Sequence, residues 1–275
     1  MLKAWYQFQY RLSASLWPLQ DARCHGCGGW SEHFDAMIRW CIACQAKFGC
    51  QSPIEHIPIV PAASENAIQS ACTLTSRLRH IIYRWKFHPR HPGSLILASL
   101  LCHYLSVLTA LPEEHKKSIM IVPIPPRSTY GAFIKPQAVL HDRLVRLSGL
   151  MAALLGVLWQ PDGLRFQRAT KTQHFLTRRS QRFDNMSQAF ALNEGLLGHI
   201  QAHQQAASKQ TPPTSGTTII VLDDLTTSGA TLMAALDAFS REPAFAGINV
   251  LPLAIAQVPL TSKFTDIAPL EGQAL

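Results

Sequence analysis

The stretch Val221-Leu222-Asp223-Asp224-Leu225-Thr226-Thr227-Ser228-Gly229-Ala230-Thr231-Leu232 sets two adjacent carboxylates and a run of hydroxyl residues behind an apolar segment. An adjacent acid pair could serve general acid–base chemistry, but its surroundings point elsewhere. Residues 217–224, TTIIVLDD, read as a buried strand, and Gly229 to Ser240 as the helix that follows. Ligands of open α/β sheets sit beyond the carboxyl ends of strands, where Asp223 and Asp224 fall. Thr226, Thr227, Ser228, Gly229, Ala230 and Thr231 then lead into a helix N-terminus, whose N–H groups and dipole favour a phosphate. Carboxylates are poor partners for phosphate but good acceptors for vicinal hydroxyls. A diol on the acids and a phosphate in the loop together describe a ribose 5-phosphate. The plainer alternative is an Asp-capped helix with a small-residue turn.

A second constellation lies near the start of the chain. Cys24-His25-Gly26-Cys27 and Cys41-Ile42-Ala43-Cys44 form a paired Cys-x-x-Cys pattern. Each pair makes a tight knuckle presenting two thiolates, and two knuckles complete a tetrahedral shell suited to structural Zn²⁺. Free thiols or a redox pair are the alternatives. Cys50, Cys72 and Cys102 are scattered, so the cysteines do not read as a disulfide framework and point to a reducing compartment.

These residues need elements to position them. A chain of 275 residues, 47% hydrophobic and only 15% charged, has room for one α/β domain plus a small accessory unit. Residues 1–56 read as a zinc-ribbon-like domain and 57–275 as the larger one. The opening twenty residues lack the continuous apolar run of a secretory signal. From Asn66 the spacing of Ile68, Ala71, Leu74, Leu78, Ile82 and Trp85 predicts one helix face. Residues 94–111 carry no charged side chain and approach membrane-spanning length. Ser99, His103, Ser106 and Thr109 dilute the run, so a buried helix is expected and no membrane span. Strands are expected at 119–126 and 249–258, and a helix over 137–156. Residues 199–217, polar and rich in Pro, Ser and Gln, read as a flexible insertion. The alternation predicts an α/β fold with a mostly parallel sheet flanked by helices.

The formal net charge of +8 favours anionic partners. Arg77, Arg79, Arg84, Lys86 and Arg90 occur without an intervening acid, as do Arg165, Arg168, Lys171, Arg178, Arg179 and Arg182. Trp85, Phe87, Phe166, Phe175 and Phe183 are interleaved. Cations that track phosphates beside rings that stack bases suit sequence-tolerant binding of single-stranded DNA. A solvated helix face over core aromatics is the alternative.

Residues 221–231 resemble the phosphoribosyl pyrophosphate (PRPP) signature of type I phosphoribosyltransferases. That resemblance implies that the acids bind the ribose hydroxyls, that the following loop holds the 5′-phosphate, and that Mg²⁺ accompanies PRPP. Arg168, Thr170, Lys171, Gln173 and Leu176, then Arg182, Asn185 and Phe190, are similar to a segment of the ComF family. This family also combines an N-terminal four-cysteine zinc unit with the PRPP signature. The Leu16-Trp17-Pro18 lead-in and the stretch from Ile82 to Phe87 agree with it. The resemblance implies a type I phosphoribosyltransferase-like fold with a small N-terminal zinc ribbon. It implies a cytoplasmic competence protein of natural transformation, acting in DNA uptake on single-stranded DNA at the inner face of the membrane, with an ATP-driven DNA translocase as partner. Arg168, Thr170, Lys171, Gln173 and Arg182 would form a loop serving nucleotide or DNA. The family's Arg-Gly-Phe-Asn-Gln motif is replaced here by Tyr130-Gly131-Ala132-Phe133-Ile134-Lys135-Pro136-Gln137. Because that loop handles pyrophosphate, binding is the leading expectation. The alternatives are an active phosphoribosyltransferase, transferring phosphoribose from PRPP to a nucleobase, and a zinc-ribbon adaptor on a scaffold domain.

Overall fold

Three segments carry uninterrupted apolar runs, and they form the middle of the sheet. In the computed structural model, which describes residues 42–51, 68–87, 93–126, 142–170, 178–207, 217–246 and 248–259, these are β2 (Ile119–Pro123), β6 (Thr218–Thr226) and β7 (Asn249–Gln257). All of β2, and β6 up to Leu222, are buried. Such continuous runs, rather than alternation, mark strands covered on both faces. With β1 (Gln69–Thr73) and β3 (Leu158–Trp159) they make a five-stranded sheet in the order β1-β7-β6-β2-β3, every pair parallel.

The helices follow in chain order: α1 (Ile42–Phe48), α2 (Ser76–Phe87), α3 (Gly93–Tyr104), the single turn α4 (Glu113–Lys116), α5 (Arg143–Leu155), α6 (Arg179–Met186), α7 (Glu194–Ala207) and α8 (Ala230–Ser240). One face of the sheet is covered by α3 and α5, which pack on each other, and α8 lies against β6 and β7. Between α5 and α7 a small antiparallel ladder joins β4 (Leu164–Phe166) to β5 (Phe190–Leu192). The protein is thus α/β, with a parallel sheet flanked by helices.

Two expectations are corrected. Residues 68–74 are not the first turns of a helix. Gln69–Thr73 is the edge strand β1, paired with β7 from Gln69 opposite Leu253 to Thr73 opposite Gln257. A segment this short carries too little periodicity to exclude a strand, and pairing with β7 decides it. From Ser76 onward the expected face is real, with Leu78, Ile82 and Trp85 buried. The second correction concerns 199–217, which is helical through Ala207. Leu196 and Ile200, one turn apart, are fully buried and anchor α7 beneath an otherwise polar sequence. The remainder of that stretch up to Gly216 lies outside the described residues.

The uncharged stretch at 94–111 is a buried helix as expected as far as Tyr104, and a 3₁₀ turn, Ser106–Ala110, follows it; Leu97, Ala98, Leu101 and Leu105 are buried. Among the described residues no helix is long and apolar enough to cross a membrane. Helix α5 begins at an N-cap, Asp142, whose carboxylate accepts from Leu144 N at 2.9 Å and Val145 N at 3.2 Å. It ends at Gly156 in the left-handed region, φ 71°.

Candidate functional site

The neighbouring central strands β2 and β6 send their crossovers in opposite directions. From β2 the chain passes through α5 to β3, and from β6 through α8 to β7 on the other side. This divergence opens a crevice at the carboxyl ends of the two strands, the usual ligand position in such sheets. The pairing makes it concrete. The last residue of β2, Pro123, lies opposite Leu222, and Ile124 N donates to Leu222 O at 2.8 Å. Beyond that rung β6 continues alongside β7, with Asp223 opposite Ala254 and Thr226 opposite Gln257.

The turn after β6 closes on itself. Gly229 holds φ 80° as the N-cap of α8, and a Cβ there would run into Ile68 Cδ1. Both the backbone and the space therefore call for glycine. Ala230 N approaches Ser228 Oγ at 3.5 Å, and within α8 Met233 N donates to Gly229 O at 2.9 Å. Asp223, Leu225 and the residues from Thr226 to Leu232 line a shallow, open cleft. Thr227, Ser228 and Thr231 are half-buried around it, whereas Thr226 is buried at the strand end.

The strand separates the two acids. Consecutive strand residues point to opposite faces, so Asp223 and Asp224 meet different neighbours. Asp223 lines the cleft. Asp224 Oδ2 lies 2.6 Å from Lys86 Nζ on α2, both side chains about a third exposed (28% and 31%). Asp224 also faces Asp142. The Asp142 carboxyl is pushed above its ordinary range, first by burial and also by the negative charge of Asp224, against the lowering effect of its hydrogen bonds from Val145 and Leu144. Asp142 is the site residue that sequence reasoning missed. An Asp directly before a helical run signals an N-cap, but only the fold reveals its approach to Asp224.

The arginine-rich segment meets the turn at one point. Arg182 Nη1 donates to Thr227 Oγ1 at 3.0 Å, placing a guanidinium at the cleft. Next to it the Arg179 guanidinium sits over the Phe183 ring, 5.5 Å from its centroid.

No protein-family model and no curated protein matches the chain.

Other expected site residues are placed differently. Arg168 is directed at the C-terminal end of α6. It donates to the carbonyls of Asp184, Asn185 and Ser187, with Nε to Ser187 O at 2.9 Å, and to its neighbour Ala169 O. A cation on these carbonyls offsets the helix dipole, a structural engagement rather than an open ligand contact. Thr170 is half-buried at the end of its described segment, and Lys171 and Gln173 lie outside the described residues, as do 127–141. Of the four zinc-ligand candidates, Cys24, Cys27 and Cys41 lie outside the described residues, and Cys44 is buried on α1.

The basic segments divide in the same way. Helix α2 exposes Arg77, Arg79, His80, Tyr83, Arg84 and Phe87. The Tyr83 and Phe87 rings, one turn apart, are tilted against each other with centroids 4.7 Å apart. Trp85, in contrast, is buried and donates through Nε1 to Ser94 Oγ at 2.9 Å. Phe166 is buried against Phe190. Trp85 and Phe166 are therefore core residues rather than stacking platforms.

Proposed function

We propose that the chain binds a phosphoribosyl ligand of the PRPP type in the cleft between Asp223 and Leu232, within a type I phosphoribosyltransferase-like fold. The observation that carries this reading is the Thr226–Thr231 turn, closed by Gly229 and joined by Arg182, at the carboxyl end of β6 where the crossovers diverge. The 5′-phosphate lies in the turn against the first amides of α8, with Arg182 as its nearby cation. Asp223 takes the ribose hydroxyls. Asp224 joins it only after releasing Lys86. Mg²⁺ enters with the pyrophosphate of PRPP.

The resemblance to the ComF family extends the proposal to uptake of single-stranded DNA during transformation. Support comes from the outer face of α2, where four cationic or ionisable side chains flank two exposed rings. A structural Zn²⁺ on Cys24, Cys27, Cys41 and Cys44 completes the proposed architecture. The test is calorimetric titration with Mg²⁺ and PRPP. Saturable binding by the wild type, lost on changing Asp223 and Asp224 together to Asn, supports the reading. Heat absent at millimolar PRPP sinks it. A parallel titration with a short single-stranded oligonucleotide should weaken steeply with salt. Affinity independent of salt would remove the electrostatic DNA reading and leave the nucleotide site standing. Pyrophosphate release on adding a nucleobase would move the assignment from binding to transfer.

A further inference from the structure

Cys50 and Cys72 are far apart in sequence, and the site described above uses neither. The fold sets them side by side. The segment leaving α1 pairs antiparallel with β1 at one isolated bridge, Cys50 opposite Cys72. The rungs on either side are Gln51 N to Ala71 O and Thr73 N to Gly49 O, each 2.8 Å. That arrangement makes Cys50 and Cys72 a non-hydrogen-bonded pair, whose Cα atoms lie about 4.5 Å apart in regular ladders. Disulfides span Cα separations of about 4.4–6.8 Å, so the backbone is already in range. Both residues are thiols here.

Their environments differ in a useful way. Cys50 is half-buried and Cys72 fully buried, so an oxidant meets Cys50 first. The Cys72 thiol donates to the Cys50 sulfur, which holds the Cys50 thiol below its ordinary range although burial works against it. The same hydrogen bond, burial and the charge on Cys50 hold Cys72 well above its own. One member of the pair is thus an accessible nucleophile and the other a shielded partner.

We propose that Cys50 and Cys72 form a redox dithiol, oxidised by small disulfides of the glutathione type to a cystine that staples the segment after α1 to the sheet edge. In the first step the Cys50 thiolate attacks one sulfur of the oxidant. A mixed disulfide forms, and one glutathione thiolate leaves and takes up a proton. The charge on Cys50 is then gone, which removes one of the causes keeping Cys72 protonated. Cys72 gives up its proton and attacks Cys50 Sγ, expelling the second glutathione thiolate. Two protein thiols become one disulfide, and one glutathione disulfide becomes two thiols. The linkage ties the edge strand β1 to the chain that carries the cysteine-rich N-terminal part.

The test uses the full chain as purified. The protein is exposed to glutathione disulfide, remaining thiols are alkylated, and unreduced peptides are mapped by mass spectrometry. The expected result is a linked Cys50–Cys72 peptide, with loss of alkylation at both residues, reversed by dithiothreitol. In Cys72→Ser the Cys50–glutathione adduct should accumulate instead. The proposal is overturned if Cys50 in the wild type stays alkylatable, ends as a lasting glutathione adduct, or pairs with another cysteine. The wild-type map decides the matter even if Cys72→Ser folds poorly.

Discussion

Replacing Arg168 with alanine separates a structural arginine from a ligand-binding one. In the fold its guanidinium serves four backbone carbonyls, three of them at the C-terminal end of α6. Shielded hydrogen bonds to a charged group are worth about 1.5–3 kcal/mol each. Arg168 is only half-buried, and water can take over several of these carbonyls, so the whole set is worth about 2 kcal/mol. For a domain of this size that corresponds to a Tm lower by roughly 4–8 °C. Thermal unfolding of Arg168→Ala beside wild type reads the loss, and hydrogen exchange should show it concentrated in α6. Salt titration of oligonucleotide binding supplies the counter-test. A residue contacting one phosphate of a single strand contributes about 0.7 to the slope of log affinity against log salt. The expected slope is unchanged. An unchanged Tm together with a slope smaller by that amount would refute the capping role and return Arg168 to the ligand surface.

Other perturbations follow from the same contacts. Asp142→Ala removes the N-cap of α5 and should cost about 1 kcal/mol in chemical denaturation at neutral pH. The folded-state pKa of Asp142 is raised above its unfolded value, so its protonated form is favoured by folding. The part of its contribution that comes from this shift is therefore full below the unfolded pKa and is lost as pH rises through the folded one, while the N-cap hydrogen bonds remain at neutral pH. Asp224→Asn removes a charge that raises Asp142, so carboxyl NMR titration should show the Asp142 pKa falling; a further rise would contradict the assigned repulsion. Gly229→Val should cost about 1–3 kcal/mol, since a β-branched residue cannot easily hold this φ, and it should abolish PRPP binding where the refolded variant is assayed.

How much of this was legible in the sequence depends on what each residue touches. The central strands could be read because burial on both faces leaves an uninterrupted apolar run, as in Ile119–Pro123 and Thr218–Leu222. The edge strand Gln69–Thr73 could not, because it buries only Ala71 and Cys72 and its identity comes from β7. Leu164–Phe166 and Phe190–Leu192 are too short to announce themselves and exist as strands by pairing with each other. At the site, the hydroxyl-rich turn and the acid at its head were readable from residue type and order. The division of Asp223 from Asp224 follows from the pleat, but the partners of Asp224 do not. Lys86 and Asp142 come from two helices separated from it in the chain, and only packing brings them together. The same holds for Cys50 and Cys72, scattered in sequence and adjacent across an isolated bridge.

The turn after β6 is the proposed binding place of a phosphoribosyl group. Hydrogen–deuterium exchange with and without saturating Mg²⁺ and PRPP tests it at the level of peptides. Binding there should slow exchange in peptides covering Leu225 to Leu232 and leave the exposed face of α2 unaffected. Unchanged exchange across that turn, or protection confined to another part of the chain, would contradict it.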